Sequence, residues 1–146
     1  MGSKSQIRKY KLFAFLTGHR SRVVFHRPVD FNSIAEVLQN FDIQVIFYHP
    51  PHSTNERFAL PNKFFESARA GQALIVGDSP SMKAIVQEFN AGWVVPGWTH
   101  IQLAETINSI TQQELRNRKR NAIRLSDTLT SDTQRETFLH SLGIKK

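Results

Sequence analysis

Apolar and polar positions along the chain fall into short blocks whose period changes from one block to the next. Residues 73–76 (ALIV) are an unbroken apolar run of strand length, which predicts a strand buried on both faces. Residues 42–48 (DIQVIFY) are rich in β-formers and stop at His49, Pro50 and Pro51, where proline cannot continue a ladder. Residues 31–41 carry apolar side chains at 31, 34, 35, 37, 38 and 41, a helical spacing, with Asn32 or Ser33 as N-cap. Pro61 opens a second helix over 62–70, and Gly71 closes it. Gly77, Asp78, Ser79 and Pro80 form a turn, followed by a helix over 81–90 with Met82, Ile85, Val86 and Phe89 on one side. Gly92 ends that helix, and Trp93, Val94 and Val95 make a short last strand. Ile101, Ala104, Ile107 and Ile110 predict a helix over 101–110.

The two ends of the chain are read from weaker signals. Residues 9–16 (KYKLFAFL) and 22–26 (RVVFH) are read as the first two strands, the latter on its β-branched and aromatic centre. Beyond residue 112 the pattern is helical without strands: 112–125, a break at 128–132, and a final helix over 133–142. Strands alternating with helices predict an α/β fold, a Rossmann-like parallel sheet of five strands flanked by helices. The expected organisation is a disordered start or tag at 1–8, a Rossmann-like domain at 9–112, and C-terminal helices at 113–146 packing on it. In such sheets ligands sit beyond the carboxyl ends of the strands. That directs attention to residues 18–20, 27–30, 49–60 and 77–80.

Composition changes this picture only at the margins. With 146 residues and 40% hydrophobic content the chain suits one packed domain. It contains no cysteine, which removes disulfides, thiolate metal sites and a cysteine nucleophile, and suits a cytoplasmic setting. No apolar run approaches the ~20 residues of a membrane span. The net charge of +7 favours anionic partners.

The richest stretch for chemistry is the long segment from His49 into the helix at Pro61. Long strand-to-helix loops are uncommon unless functional. This one delivers a helix start to the carboxyl edge of the sheet, where free N–H groups and the helix dipole attract an anion such as a diphosphate. Ser53, Thr54 and Asn62 are further candidate donors, with Lys63 beside them. Glu66, one turn inside the helix, is placed to accept the two hydroxyls of a ribose. On the residues alone, the same helix reads more simply as an ordinary one with Glu66 as a surface charge.

Leu60-Pro61-Asn62-Lys63-Phe64-Phe65-Glu66, then Ala68, Ala70-Gly71 and Ala73-Leu74-Ile75-Val76, resembles the signature of retaining nucleotide-sugar glycosyltransferases of the GT-B architecture, the glycosyl transferases group 1 type. Asp78-Ser79-Pro80, Ile85-Val86 and Ala91-Gly92-Trp93-Val94-Val95 are similar to the segment that follows in that family. The likeness covers roughly residues 9–112. It implies the C-terminal, donor-binding half of such an enzyme, taking a UDP-, GDP- or ADP-linked sugar as donor substrate without metal or other cofactor. A hexose would pass to a glycan, lipid or protein acceptor, as in polysaccharide biosynthesis.

By the same resemblance Glu66 binds ribose. Leu60, the flank of Pro61 and Asn62 match the family's diphosphate-binding amides, with Ser53 and Lys63 added as diphosphate-binding candidates from the loop itself, and Arg27, Pro28 and Val29 match the turn that cups the base. The chain departs from the family at Phe58, where a second glutamate is frequent, and it lacks a counterpart of the paired arginine and lysine that neutralise the diphosphate. The acceptor-binding domain is also missing, so the resemblance implies a donor-binding part with no catalytic residue assigned and no transfer activity of its own.

Other chemistries have thinner support. Of six histidines only His49 and His52 are close, and a pair without a third ligand is a poor metal site. There is no Gly-x-Ser-x-Gly elbow and no Gly-x-Gly-x-x-Gly after the first strand. Arg116, Lys119 and Arg120 share one face of the basic helix. That face reads as solvated, as a membrane-surface contact that would make a cytoplasmic protein membrane-associated, or as a nucleic-acid contact, the last disfavoured by the lack of interleaved aromatics. Two alternatives to the donor-binding reading therefore stand: a non-catalytic Rossmann-like interaction module, and a basic nucleic-acid or membrane-surface binder.

Overall fold

The computed structural model describes residues 4–18, 22–48 and 53–129. The expected final helix over 133–142 lies outside these residues, as do His49 and His52. The chain divides into two compact units, Met1–Phe31 and Asn32–Lys146.

The first unit contains helix α1 (Lys4–Leu16) and an irregular segment over 22–30. Both expected strands of this region are absent. Residues 9–16 are helical: Lys, Leu and Ala are good helix formers, and the apolar residues at 12–16 do not alternate as a half-exposed strand would require. The helix also begins inside the stretch read as a disordered start. Residues 22–26 have strand-like composition but pair with no strand, and Val24 is 73% exposed. β-propensity describes fit to a pleated neighbour, and these residues have none among the described residues.

The second unit is an α/β structure with a small parallel sheet. After a 3-10 turn at Phe31–Ser33 come α2 (Ile34–Leu38), β1 (Ile43–Ile46), α3 (Thr54–Phe58), α4 (Asn62–Arg69), β2 (Ala73–Val76), α5 (Pro80–Phe89), β3 (Gly92–Val94), α6 (His100–Asn108) and α7 (Gln112–Thr128). The sheet has three strands where five were expected, in the order β1-β2-β3. Both pairings are parallel, with Ile43 opposite Ala73 and Leu74 opposite Gly92. The difference from five follows from the loss of both N-terminal strands.

β2 is buried along its whole length, as its unbroken apolar run predicts. Ile46, Leu74 and Val76 share one face of the sheet, because side chains alternate along a strand. They form the core with Phe64 and Ala68 of α4, Met82 and Val86 of α5, and Ala122 and Leu125 of α7. The helices α4 and α5 lie on one side because both crossovers step in the same direction, and parallel crossovers are right-handed.

Helix α7 runs past the amino ends of all three strands. Lys119 makes an ion pair of 2.7 Å with Asp42, just before β1. Ile123 lies against Gly71, just before β2. Arg118 donates to the Gly92 carbonyl at the start of β3 and to Asn90 Oδ1, and its guanidinium stands 4.6 Å from the centre of the Trp93 ring. Trp93 is half-buried under this arginine. Burial pulls the Arg118 guanidinium down, and the nearby Glu114 carboxylate partly opposes this.

Candidate functional site

The carboxyl ends of the three strands meet in one place. Past its last strand residue, β1 continues through Phe47 and Tyr48, β2 through Gly77 to Ser79, and β3 through Val95 to Trp98. The ladder extends into these turns: Gly77 N donates to Ile46 O at 3.2 Å, and Val95 N to Val76 O at 2.9 Å. Beyond them opens a cavity of about 290 Å³ lined by Tyr48, Glu56, Ala59, Pro61, Ser79, Met82 and Trp98.

Each wall of the cavity has a local cause. Trp98 packs on Phe47 with ring centres 5.7 Å apart. It also covers Gly77 so closely that a Cβ there would stand 2.3 Å from its ring. Only glycine admits the indole at this position. Ser79 Oγ donates to Arg57 O at 2.9 Å, tying the turn after β2 to α3. The segment expected as a loop over 49–60 thus contains a short helix. Ser53 caps it, its side chain accepting from Glu56 N at 3.2 Å. This capping brings the Glu56 side chain to the cavity wall.

Helix α4 begins at the cavity edge. Pro61 is its N-cap and offers no side-chain hydrogen bond. Phe64 N donates to Pro61 O at 2.8 Å. A helix start leaves its first N–H groups without an intrahelical acceptor, here those of Asn62 and Lys63. Lys63 Nζ lies 4.4 Å from the centre of the Tyr48 ring, a cation–π contact at the rim. The arrangement suits a ligand with a flat ring for Tyr48 and Trp98 and an anionic group for the helix start.

The chain matches no family model, no curated protein and no solved structure.

Of the residues singled out from the sequence, Leu60, Asn62, Lys63 and Glu66 come together on α4 and its approach. Leu60 and Asn62 are exposed, while Glu66 is half-buried one turn along and does not line the cavity. Ser53 starts α3, with its oxygen engaged in capping. Arg27, Pro28 and Val29 are exposed in the irregular segment of the other unit. Among the described residues no group of three His, Cys, Asp or Glu could hold a metal ion.

Sequence reasoning missed Tyr48, Met82 and Trp98. Tyr48 and Trp98 were within reach of the strand-end rule, had it been applied to the last strand as well as to the earlier ones. Met82 was legible only as a core position of α5. Of the basic helix, Arg116 donates to Gln113 Oε1 and Arg120 to Asn117 Oδ1, while Lys119 pairs with Asp42. No described helix is long and apolar enough to cross a membrane.

Proposed function

We propose that the chain binds a nucleotide-diphosphate sugar, as the donor-binding half of a retaining glycosyltransferase of GT-B architecture. The observation that carries the reading is a coincidence: the uncapped start of α4 stands at the edge of an aromatic-walled cavity, beyond the carboxyl ends of a parallel sheet. The resemblance over residues 60–76 falls on the same helix. In this reading the N–H groups of Asn62 and Lys63 take the diphosphate, and Lys63 adds charge. Glu66 holds the ribose hydroxyls, and the sugar or base stacks against Tyr48 or Trp98. Transfer to a glycan, lipid or protein acceptor then requires an acceptor-binding domain, the other half of enzymes of that architecture.

Calorimetric titration with UDP, GDP and ADP tests the reading. One nucleotide should saturate the chain. Glu66→Ala should weaken it by at least about tenfold, the loss expected for hydrogen bonds to a charged group worth ~1.5–3 kcal/mol. Absence of saturable binding by all three nucleotides, or full binding by Glu66→Ala, would remove it. The purified chain should show no sugar transfer on its own.

A further inference from the structure

Charge is shared unequally between the two compact units. Met1–Phe31 holds seven lysines and arginines against one aspartate, so six of the seven net positive charges lie in the first unit. Asn32–Lys146 holds twelve basic residues against eleven acidic ones and is almost neutral.

The basic unit also bears concentrated exposed apolar surface. In α1, Leu12, Phe13, Phe15 and Leu16 are 58%, 66%, 58% and 71% exposed, and Tyr10 is exposed beside them. The two properties separate along the helix axis rather than around it. Arg8, Lys9 and Lys11 are exposed in its middle, and the closing turn over 12–16 is apolar on all sides. A helix surface that is apolar all round belongs in a non-aqueous setting. The irregular segment adds to it: Val23, Val24 and Phe25 form a groove with Lys11, Leu12 and Phe15. Lys11 Nζ stands 5.7 Å from the centre of the Phe25 ring.

We infer that α1 and residues 23–25 form an interfacial anchor for an anionic lipid bilayer. The apolar turn enters the boundary of the acyl region, and Arg8, Lys9 and Lys11 meet lipid phosphates above it. Charge complementarity selects this occupant, because every charge on α1 is positive while the uncharged contact surface is largely aliphatic and phenyl. A nucleic acid would use the cations and ring faces but gives no role to Leu12, Leu16, Val23 and Val24. The anchor is independent of the cavity in the other unit.

Co-sedimentation of the full chain with vesicles tests it. Binding should be at least about tenfold stronger to phosphatidylcholine mixed with phosphatidylglycerol than to phosphatidylcholine alone. The double substitution Phe13→Ser with Leu16→Ser should reduce binding to the mixed vesicles by about tenfold or more. Lys9→Glu with Lys11→Glu should do the same. All four side chains are exposed, so circular dichroism and melting should match the parent chain. Failure of the parent chain to bind mixed vesicles overturns the inference, as does undiminished binding by both double variants. A dimer that Phe13→Ser with Leu16→Ser abolishes, without vesicle binding, would assign the surface to a second copy. Tighter binding to a single-stranded oligonucleotide than to vesicles, unchanged in that variant, would assign it to nucleic acid.

Discussion

Gly92 shows how one missing Cβ holds the sheet together. A side chain there would meet the Leu74 carbonyl oxygen at 1.9 Å, a backbone atom that cannot step aside. Gly71 has a different constraint: its φ of +74° is the left-handed end of α4, with only the flexible Ile123 side chain at 3.4 Å. The two glycines should therefore respond differently. Gly71→Ala should cost about 1 kcal/mol, from the strained backbone. Gly92→Ala should cost at least about 2–3 kcal/mol, from overpacking against the neighbouring strand. Urea melts of both variants check the order. In the sequence, Gly71 is legible as a helix end and Gly92 as a break. The contact that makes Gly92 irreplaceable is not, because it depends on the register with β2.

Helix α7 draws its stability from both its start and its side. Thr111 and Glu114 form a capping box in which each side chain serves the other's backbone. The Thr111 hydroxyl and backbone N–H both donate to the Glu114 carboxylate and hold its pKa below the usual value, with a smaller contribution from Arg118. A carboxyl whose pKa is lowered by folding stabilises the fold above its ordinary range, and loses that contribution as pH falls through the depressed value. Glu114→Gln should thus lower the melting temperature at neutral pH, and the gap to the parent should close in strongly acidic solution. The helix itself was readable from residue 112 onward. That its cations reach Asp42, Asn90 and Gly92 was not, since those partners are 77, 28 and 26 positions away.

The two compact units differ in charge, in exposed apolar surface and in secondary structure. If they act separately, the fragment 32–146 should keep a cooperative melt and any nucleotide binding, while losing vesicle binding entirely. Circular dichroism, calorimetry and vesicle co-sedimentation on that fragment read the three properties apart. Loss of its cooperative melt would mean that the sheet depends on the first unit. The basic charge of the whole chain thereby acquires a location: it marks one unit, rather than the helix with Arg116, Lys119 and Arg120.

Local pattern was sufficient wherever a segment's own residues decide its state. The unbroken apolar run of β2, the proline-opened and glycine-closed α4, and the one-sided α5 are such segments, and together they imply an α/β arrangement with a parallel sheet. Residues 9–16 and 22–26 could not be settled this way. A contiguous basic-aromatic run is compatible with helix or strand, and a strand exists only if another strand pairs with it. The cavity was half legible, its loop and helix start visible through Pro61, Asn62 and Lys63. Tyr48, Met82 and Trp98, separated by 34 and 16 positions in the sequence, join them only when the three strand ends are brought side by side by the parallel register. Which residues share a wall is a property of that register, and no local period encodes it.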